Sequence, residues 1–137
     1  MKKRIVLASH GNLAEGMKNS LQVILGSEAD SVTTFCSTRQ NDIEDFKISL
    51  LSSAKNNREI TFFVFCDLYG ASVFTSLYPL VLESNIIVFS GMNLALLIAC
   101  ISEVEDVSQL PQTISRAQQD IKVFSDIEMR DISLEEF

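Results

Sequence analysis

His10 is the only histidine of the chain, and its surroundings could support nucleophilic chemistry. A neutral imidazole is an effective nucleophile near pH 7. To react through one ring nitrogen, the imidazole must carry its proton on the other nitrogen and be held in that tautomer. Asp67 is a candidate for this task, because a carboxylate can accept the hydrogen bond of the protonated nitrogen and offset positive charge on the ring. The two residues therefore have complementary roles.

A phosphoryl group carried by His10 would need hydrogen-bond donors, and two segments of the sequence offer them. The turn Gly70-Ala71-Ser72 contains backbone amides and a hydroxyl. The helix predicted to start near Leu13, just after Gly11, has oriented amides at its N-terminus. Both segments are candidates for phosphate binding.

The same positions also fit a purely structural interpretation. In that interpretation His10 only makes a turn hydrogen bond, and Asp67 only caps the following helix. The turn Gly91-Met92-Asn93, taken by itself, favours ordinary turn and cap chemistry. The residues alone leave both interpretations open.

Alternating short apolar runs and longer amphipathic stretches predict the elements that position these residues. β-branched and aromatic runs predict four strands, at residues 4–8, 32–37, 60–66 and 86–90. Helical spacing predicts helices at about 13–25, 43–54, 72–83, from 93 onwards, and about 112–120. This alternation is typical of an α/β fold in which helices cover a parallel sheet.

The carboxyl ends of the predicted strands should bring three polar turns together. In open parallel sheets, ligands and chemistry collect where the loops after neighbouring strands face one another. The turns concerned are Ser9-His10-Gly11, residues 67–72 and residues 91–93. We therefore expect one site at this edge.

Local signals predict where several helices begin and end. Asn12 is expected to cap the first helix, with Glu15 completing a capping-box-like pair and Gly26 ending it. Asn93 is expected to cap the helix that follows the fourth strand. Pro79 lies inside the helix predicted at 72–83 and should bend it or shift its start, because proline lacks the amide donor of the helical ladder.

The C-terminal region carries apolar residues at alternate positions. They predict a strand over residues 121–129 with one buried face, and they are Ile121, Val123, Ile127 and Met129. Because no helix follows this strand, we expect it at an antiparallel edge position. The predicted organisation is one domain over residues 1–130 and a short acidic tail, 131–137.

Composition argues against several classes of protein. A formal net charge of -7 opposes nucleic-acid binding, and the one basic cluster, Lys2-Lys3-Arg4, is expected to be a solvated strand start. The longest apolar run, residues 94–101, is far shorter than the roughly 18 residues of a membrane span. Three cysteines in apolar surroundings, without a paired spacing, predict reduced core residues of a cytoplasmic protein.

We expect neither a metal nor a cofactor. The carboxylates other than Asp67 are scattered over predicted helical faces and the tail, so they do not form a ligand set. The sequence also lacks the glycine-rich fingerprints of nucleotide-binding loops. Nucleotide hydrolysis is therefore disfavoured.

Three segments together resemble the IIA component of the mannose-type (mannose/fructose/sorbose) bacterial phosphotransferase system. They stand in the family's order and spacing, and they are IVLASHGNLAEGM, FCDLYGASVF and SGMNLALL. The resemblance implies that His10 accepts a phosphoryl group from the phosphocarrier HPr and passes it to a histidine of a IIB subunit. Sugar is then phosphorylated during uptake through the membrane subunits IIC and IID.

The resemblance also implies a role for each site residue. His10 is the phosphorylated residue, Asp67 orients it, and the hydroxyl of Ser72 lies beside the phosphate. Asn93 belongs to the family's glycine-x-asparagine turn, which starts at Gly91. The implied fold is doubly wound, with four parallel strands and a fifth, antiparallel strand exchanged between the subunits of a homodimer.

Two alternatives to a sugar-transport subunit stay open, and departures from the family pattern support one of them. The family's second segment usually has two glycines and a proline, where this chain has Ala71 and Val73, and Ala95 replaces a common proline. The altered turn favours a non-catalytic regulatory module of the same fold. The other alternative is the phosphotransfer subunit of a dihydroxyacetone kinase system, although the aspartate-x-tyrosine-glycine turn favours sugar transport. The sequence does not reveal the transported sugar, because a subunit that only relays phosphate need not contact it.

Overall fold

A computed structural model describes residues 1–126 of the chain. Within this range, four strands alternate with five helices. The strands are β1 (Lys2–His10), β2 (Thr33–Ser37), β3 (Ile60–Cys66) and β4 (Ile86–Phe89). The helices are α1 (Leu13–Leu25), α2 (Ile43–Asn56), α3 (Ser72–Leu77), α4 (Leu94–Ser102) and α5 (Leu110–Gln119). None of the helices in residues 1–126 has both the length and the apolar character needed to cross a membrane.

The strands form one parallel sheet in the order β2-β1-β3-β4, which confirms the predicted α/β fold. Side chains of the central strands alternate between two apolar layers because successive residues of a strand point to opposite faces. Leu7 and Phe65 face a layer with α1, α4 and α5, whereas Val6 and Val64 face a layer with α2 and α3. All four side chains are essentially inaccessible to solvent. Burial of such side chains stabilises the fold by about 1.5–3 kcal/mol each, so the centre of the sheet is rigidly placed.

Proline interrupts one predicted helix and is accommodated at the start of another. The helix predicted at 72–83 ends at Leu77 and continues as a 3₁₀ turn, Tyr78–Leu82, which contains Pro79. The missing amide of a proline inside a helix explains this change. In α5, by contrast, Pro111 stands in the first turn, where its missing amide has no intrahelical partner to lose.

The prediction that Asn12 caps α1 was wrong. Asn12 makes no side-chain cap hydrogen bond, and its backbone (φ -87°, ψ 13°) is not the extended conformation of a typical N-cap residue. The hydroxyl of Ser9 instead accepts a hydrogen bond from the amide of Ala14 at 2.7 Å. The carboxylate of Glu15 accepts from the hydroxyl of Thr34, so it ties α1 to β2 rather than completing a capping box.

Two of the three basic residues at the start of β1, Lys3 and Arg4, are less solvated than their charge predicts, whereas Lys2 is exposed. The ammonium of Lys3 donates to the carbonyls of Cys100 and Val104, at 2.6 and 2.5 Å, near the C-terminal end of α4. A cation is favourable there because the last carbonyls of a helix carry partial negative charge. The Arg4 guanidinium lies 5.3 Å from the centre of the Phe62 ring.

Two of the three cysteines are buried in the apolar layers, as predicted. All three are free thiols, and Cys36 is half-buried. Burial, together with the nearby charge of Asp67, raises the pKa of Cys66 to about 12. Burial likewise raises the pKa of Cys100 to about 11. At neutral pH these two side chains behave as apolar core residues.

The predicted fifth strand is not shown. Residues 121–126, the described part of it, have no strand conformation, and Ile121 and Val123 are about three-quarters exposed. Residues 127–129 and the predicted tail, 131–137, lie outside the described residues. The antiparallel edge strand therefore stays a prediction.

Asn85 joins α2 to the start of the sheet. Its side chain is almost fully buried, and its amide nitrogen lies 3.0, 3.2 and 3.1 Å from the carbonyls of Ala54, Asn57 and Ile60. The Asn85 carbonyl also accepts from the amide of Phe62 at 2.8 Å. One side chain thus satisfies acceptors at the end of α2 and at the beginning of β3.

We expect Asn85→Ala to destabilise the fold by about 1–3 kcal/mol, because buried carbonyls lose their donor. Urea unfolding followed by circular dichroism measures the change. Asn56→Ala, at an exposed position of α2, is the matched control and should change stability by no more than about 0.5 kcal/mol. Equal stability changes in the two variants would contradict the role of Asn85.

Candidate functional site

The register of the central strands places His10 beside Asp67. Ala8 of β1 pairs with Cys66 of β3, so both chains leave the sheet at the same edge. β3 ends one residue before Asp67, whereas β1 continues to His10. Residues that are 57 positions apart in the sequence are therefore neighbours, as predicted from the parallel sheet.

One carboxylate oxygen of Asp67 accepts two hydrogen bonds from His10. The backbone amide of His10 lies 2.8 Å from Oδ2, and ring nitrogen Nδ1 lies 2.9 Å from the same oxygen. The other oxygen, Oδ1, accepts from the amide of Leu68 at 2.9 Å. The Asp67 side chain is only 11% exposed, whereas that of His10 is 45% exposed. The carboxylate is thus enclosed, and the ring that it holds remains accessible.

The electrostatics of this pair determine where the ring proton lies. Burial by itself would raise the pKa of Asp67, but the hydrogen bonds from the amide and the ring of His10 outweigh burial and lower the pKa below its ordinary value. The carboxyl is therefore ionised at neutral pH and can only accept. Nδ1 must then carry the proton, which leaves Nε2 of the neutral ring unprotonated and able to accept a hydrogen bond.

The hydroxyl of Ser72 contacts the second ring nitrogen. Ser72 is the first residue of α3, and its Oγ lies 3.2 Å from Nε2 of His10. Because Nε2 is the unprotonated nitrogen, the hydroxyl donates and the ring accepts. The structure thus brings together the three residues whose side chains were expected to form the site.

Gly11 and Gly70 give the two turns their shape. Both have positive φ, +56° for Gly11 and +77° for Gly70, which side chains with a Cβ rarely adopt. The amide of Gly11 donates to the carbonyl of Ser37 at 2.9 Å, so the turn after β1 is also fastened to β2. These glycines let the backbone reverse beside His10.

The departure at Ala71 does not strain its turn. Ala71 has φ -82° and ψ 173°, an extended conformation that alanine adopts readily. Its amide donates to the carbonyl of Leu68 at 3.3 Å, so this predicted phosphate donor already has a partner within the turn. Val73 is buried in the apolar layer on the α2 and α3 side of the sheet.

The turn at Gly91 supports the site through the backbone. The amide of Met92 donates to the carbonyl of Cys66, next to Asp67, at 3.0 Å. The predicted cap at Asn93 is confirmed, since its Oδ1 accepts from the amide of Leu96 at 3.0 Å. Its Nδ2 donates to the carbonyl of Gly91 at 3.2 Å. Asn93 thus uses both ends of its amide within its own turn and helix.

Ser9 is the residue whose importance the sequence pattern underestimated. We expected it to belong only to the supporting turn, whereas its buried hydroxyl contacts both Gly11 and Ala14. The signal was a serine at the end of an apolar strand, where the next helix begins within one turn. Such a serine can serve as the cap even when an asparagine stands closer to the helix.

Several solved structures are similar to this chain. A Klebsiella pneumoniae subsp. pneumoniae MGH 78578 protein, described as a phosphoenolpyruvate-dependent sugar phosphotransferase system permease, is 26% identical, with a TM-score of 0.78 over 90% of this chain and 91% of that one. The mannose/sorbose specific IIA subunit from Enterococcus faecalis is 25% identical, with a TM-score of 0.73 over 91% and 96% of the two chains. The EIIA component from Streptococcus agalactiae has the same fold, with 23% identity and a TM-score of 0.74 over 89% and 96%.

The comparison of sequences supports a family assignment. Among the curated proteins, none matches this chain. The family model described as the fructose IIA component of the phosphotransferase system (PTS) matches residues 4–118, which include every residue of the site. The resemblance seen in the three segments is thereby confirmed, and the chain belongs to the mannose/fructose/sorbose-type IIA family of the PTS.

Proposed function

We propose that this IIA component carries a phosphoryl group on Nε2 of His10, accepting it from phosphorylated HPr and passing it to a IIB subunit. One observation carries the proposal: Oδ2 of Asp67 holds both the amide and Nδ1 of His10, which leaves Nε2 unprotonated and accessible. An exposed ring suits a subunit that must exchange phosphate with proteins. The sugar, and the membrane subunits IIC and IID, need not contact this site.

In the proposed transfer, the lone pair of Nε2 attacks the phosphorus atom of the donor. The bond from phosphorus to the donor's histidine nitrogen breaks, and that nitrogen keeps the electron pair. The proton on Nδ1 stays in place, and the Asp67 carboxylate, 2.9 Å away, offsets the positive charge of the phosphorylated ring. In the second half-reaction a histidine nitrogen of IIB attacks the same phosphorus, and Nε2 leaves as a neutral ring nitrogen.

The donors around Nε2 suit a phosphoryl group. The hydroxyl of Ser72, 3.2 Å from Nε2, can turn to a phosphoryl oxygen once the nitrogen is occupied. Among the backbone amides of the two turns, those of Gly11 and Ala71 already donate to Ser37 and Leu68, so the amides of Gly70 and Ser72 are the further candidates. These donors replace the hydration that the phosphoryl group loses on leaving water.

A homodimer is the proposed assembly, with residues 121–129 added as an antiparallel strand at the edge of a partner's sheet. β4 lies at the end of the described sheet and pairs only with β3 there, so its outer edge can accept a strand. The exposed Ile121 and Val123 are suited to burial in such an arrangement. The proposed domain, residues 1–130, includes this strand.

The unstrained Ala71 weakens the case for a non-catalytic regulatory module, which rested on the altered turn. A dihydroxyacetone kinase partner remains the other possible acceptor. Mixing the phosphorylated protein with IIB, or with a dihydroxyacetone kinase loaded with ADP, distinguishes the two. Transfer to the kinase alone would assign the protein to a dihydroxyacetone kinase system instead.

Phosphorylated HPr should label the wild-type protein with acid-labile phosphate, and His10→Ala should take up none, because the chain has no second histidine. Phosphate-affinity electrophoresis before and after acid treatment measures the label. Circular dichroism should report the same fold for both proteins, since His10 lies at the end of a strand. Absence of label on the wild type, or undiminished label on His10→Ala, would contradict the proposed function.

Asp67→Ala should slow the transfer by about 10- to 100-fold without unfolding the domain, because the ring loses the group that holds its tautomer and orientation. Asp45→Ala, at an exposed position of α2, is the matched control and should transfer at the wild-type rate. Rapid-quench kinetics with phosphorylated HPr give the rates. Wild-type transfer in Asp67→Ala would remove this residue from the site.

The lowered pKa of Asp67 also predicts a dependence of stability on pH. A carboxyl whose pKa is lower in the folded than in the unfolded state stabilises the fold above its ordinary pKa, and loses that effect as pH falls through the folded value. The stability difference between wild type and Asp67→Asn should therefore be largest near neutral pH and shrink from about pH 5 downwards. Urea unfolding at each pH measures the free energy of unfolding of both proteins. A stability difference that does not change with pH would contradict the lowered pKa of Asp67.

A further inference from the structure

Ser9 lies beneath the turn that carries His10. Its side chain is completely buried. The hydroxyl donates to the carbonyl of Gly11 at 3.2 Å and accepts from the amide of Ala14 at 2.7 Å. The first contact bridges His10, and the second reaches the first turn of α1. The hydroxyl therefore fastens the turn after His10 to the start of α1.

The ring of His10 depends on the position of its own backbone. Its amide and Nδ1 both donate to Oδ2 of Asp67, at 2.8 and 2.9 Å. A single acceptor atom can bind both groups only while the backbone and the ring keep one relative orientation. Displacement of the His10 backbone would lengthen both hydrogen bonds, and Nδ1 would lose its acceptor.

The backbone before His10 is held by the sheet, because Ser9 and His10 pair with Cys36 and Ser37 of β2, whereas the backbone after it has fewer contacts. The amide of Gly11 donates to Ser37, which fastens the turn to β2. The carbonyl of Gly11 accepts a hydrogen bond from the hydroxyl of Ser9. Because glycine adopts many backbone conformations, the residue type does not by itself fix the positive φ at this position. The hydroxyl of Ser9 therefore acts on the C-terminal side of His10, where the chain leaves the sheet.

We propose that Ser9 is a positioning residue for His10, a proposal that rests on the phosphoryl-carrier function. Its hydroxyl keeps the turn in the one arrangement in which Asp67 holds the proton on Nδ1. Without it, the amide of Ala14 and the carbonyl of Gly11 lose their common partner. The ring then moves away from Asp67, and the neutral ring carries its proton partly on Nε2, the nitrogen that must attack phosphorus.

The test compares Ser9→Ala with a control that loses a different helix cap. Asp42 caps α2, since its Oδ1 accepts from the amide of Glu44 at 2.9 Å, and Asp42→Ala removes this contact. Each substitution removes one side-chain cap of a helix, so the two variants are matched in that respect. Only Ser9 is connected to the turn of His10.

Two measurements are made on each protein. Nitrogen-15 NMR of the His10 ring reports which ring nitrogen carries the proton, and needs no phosphoryl transfer. Rapid-quench kinetics with phosphorylated HPr report the transfer rate. We expect Ser9→Ala to move the ring signals toward protonation at Nε2 and to slow transfer by about tenfold, and Asp42→Ala to change neither. If Ser9→Ala does not fold, Ser9→Cys provides the same comparison, because a thiol is only slightly larger than a hydroxyl and is a weak hydrogen-bonding group.

The outcomes separate this inference from the proposed function. A ring proton that stays on Nδ1 in the Ser9 variant would overturn the positioning role, even if transfer were slower. An equal change in Asp42→Ala would also overturn it, because the effect would then follow general loss of stability. If wild type takes up no phosphate but the NMR signals shift as expected, the carrier function fails while Ser9 is still shown to hold the ring.

Discussion

The double hydrogen bond from His10 to one oxygen of Asp67 is the interaction on which the site depends. It joins the end of β1 to the end of β3 and determines which ring nitrogen is unprotonated. Burial of a carboxylate is unfavourable unless its oxygens are hydrogen-bonded. Here Oδ2 accepts from His10 and Oδ1 from Leu68, so the carboxyl stays ionised in spite of its enclosure. The same contacts that make the aspartate acceptable inside the fold also keep the ring proton on Nδ1 and leave Nε2 unprotonated.

The sheet makes this interaction possible. β1 and β3 pair in parallel along seven residues from Lys2↔Ile60 to Ala8↔Cys66, and apolar layers cover them on both faces. A shift of the register by one residue would turn every core side chain of a strand to the opposite face. The large apolar side chains of β3 oppose such a shift, so the hydrophobic core fixes the spacing between His10 and Asp67.

Differences from the family's usual turn are accommodated locally. Position 71 requires an extended backbone, which alanine provides, whereas the reversal of the chain is made by Gly70 with φ +77°. The turn requires glycine at position 70, where it is present. It does not require glycine at position 71, where alanine has replaced it. Val73 contributes instead to the apolar layer beneath α3.

Much of the fold follows from local patterns in the sequence. The bounds of α1 and β3 were predicted without error, because apolar periodicity and the final Gly26 or Asp67 act over a few residues. The cap at Asn93 was likewise predictable from its own turn. The sequence also identified His10, Asp67 and Ser72 as candidates, but it left open whether the histidine was reactive or only part of a turn.

Only the tertiary structure decided the contacts between distant segments. His10 and Asp67 are 57 residues apart, and their hydrogen bonds depend on strand pairing that no local pattern encodes. The cap of α1 is a more local case: the structure shows Ser9 rather than Asn12 in this role, because the backbone at Asn12 lacks the cap conformation and the hydroxyl of Ser9 accepts from Ala14. The sequence by itself determined which residues could react and which segments carry them. The packed sheet decided which atoms meet, because hydrogen bonds require positions accurate to tenths of an ångström that only the whole core can impose.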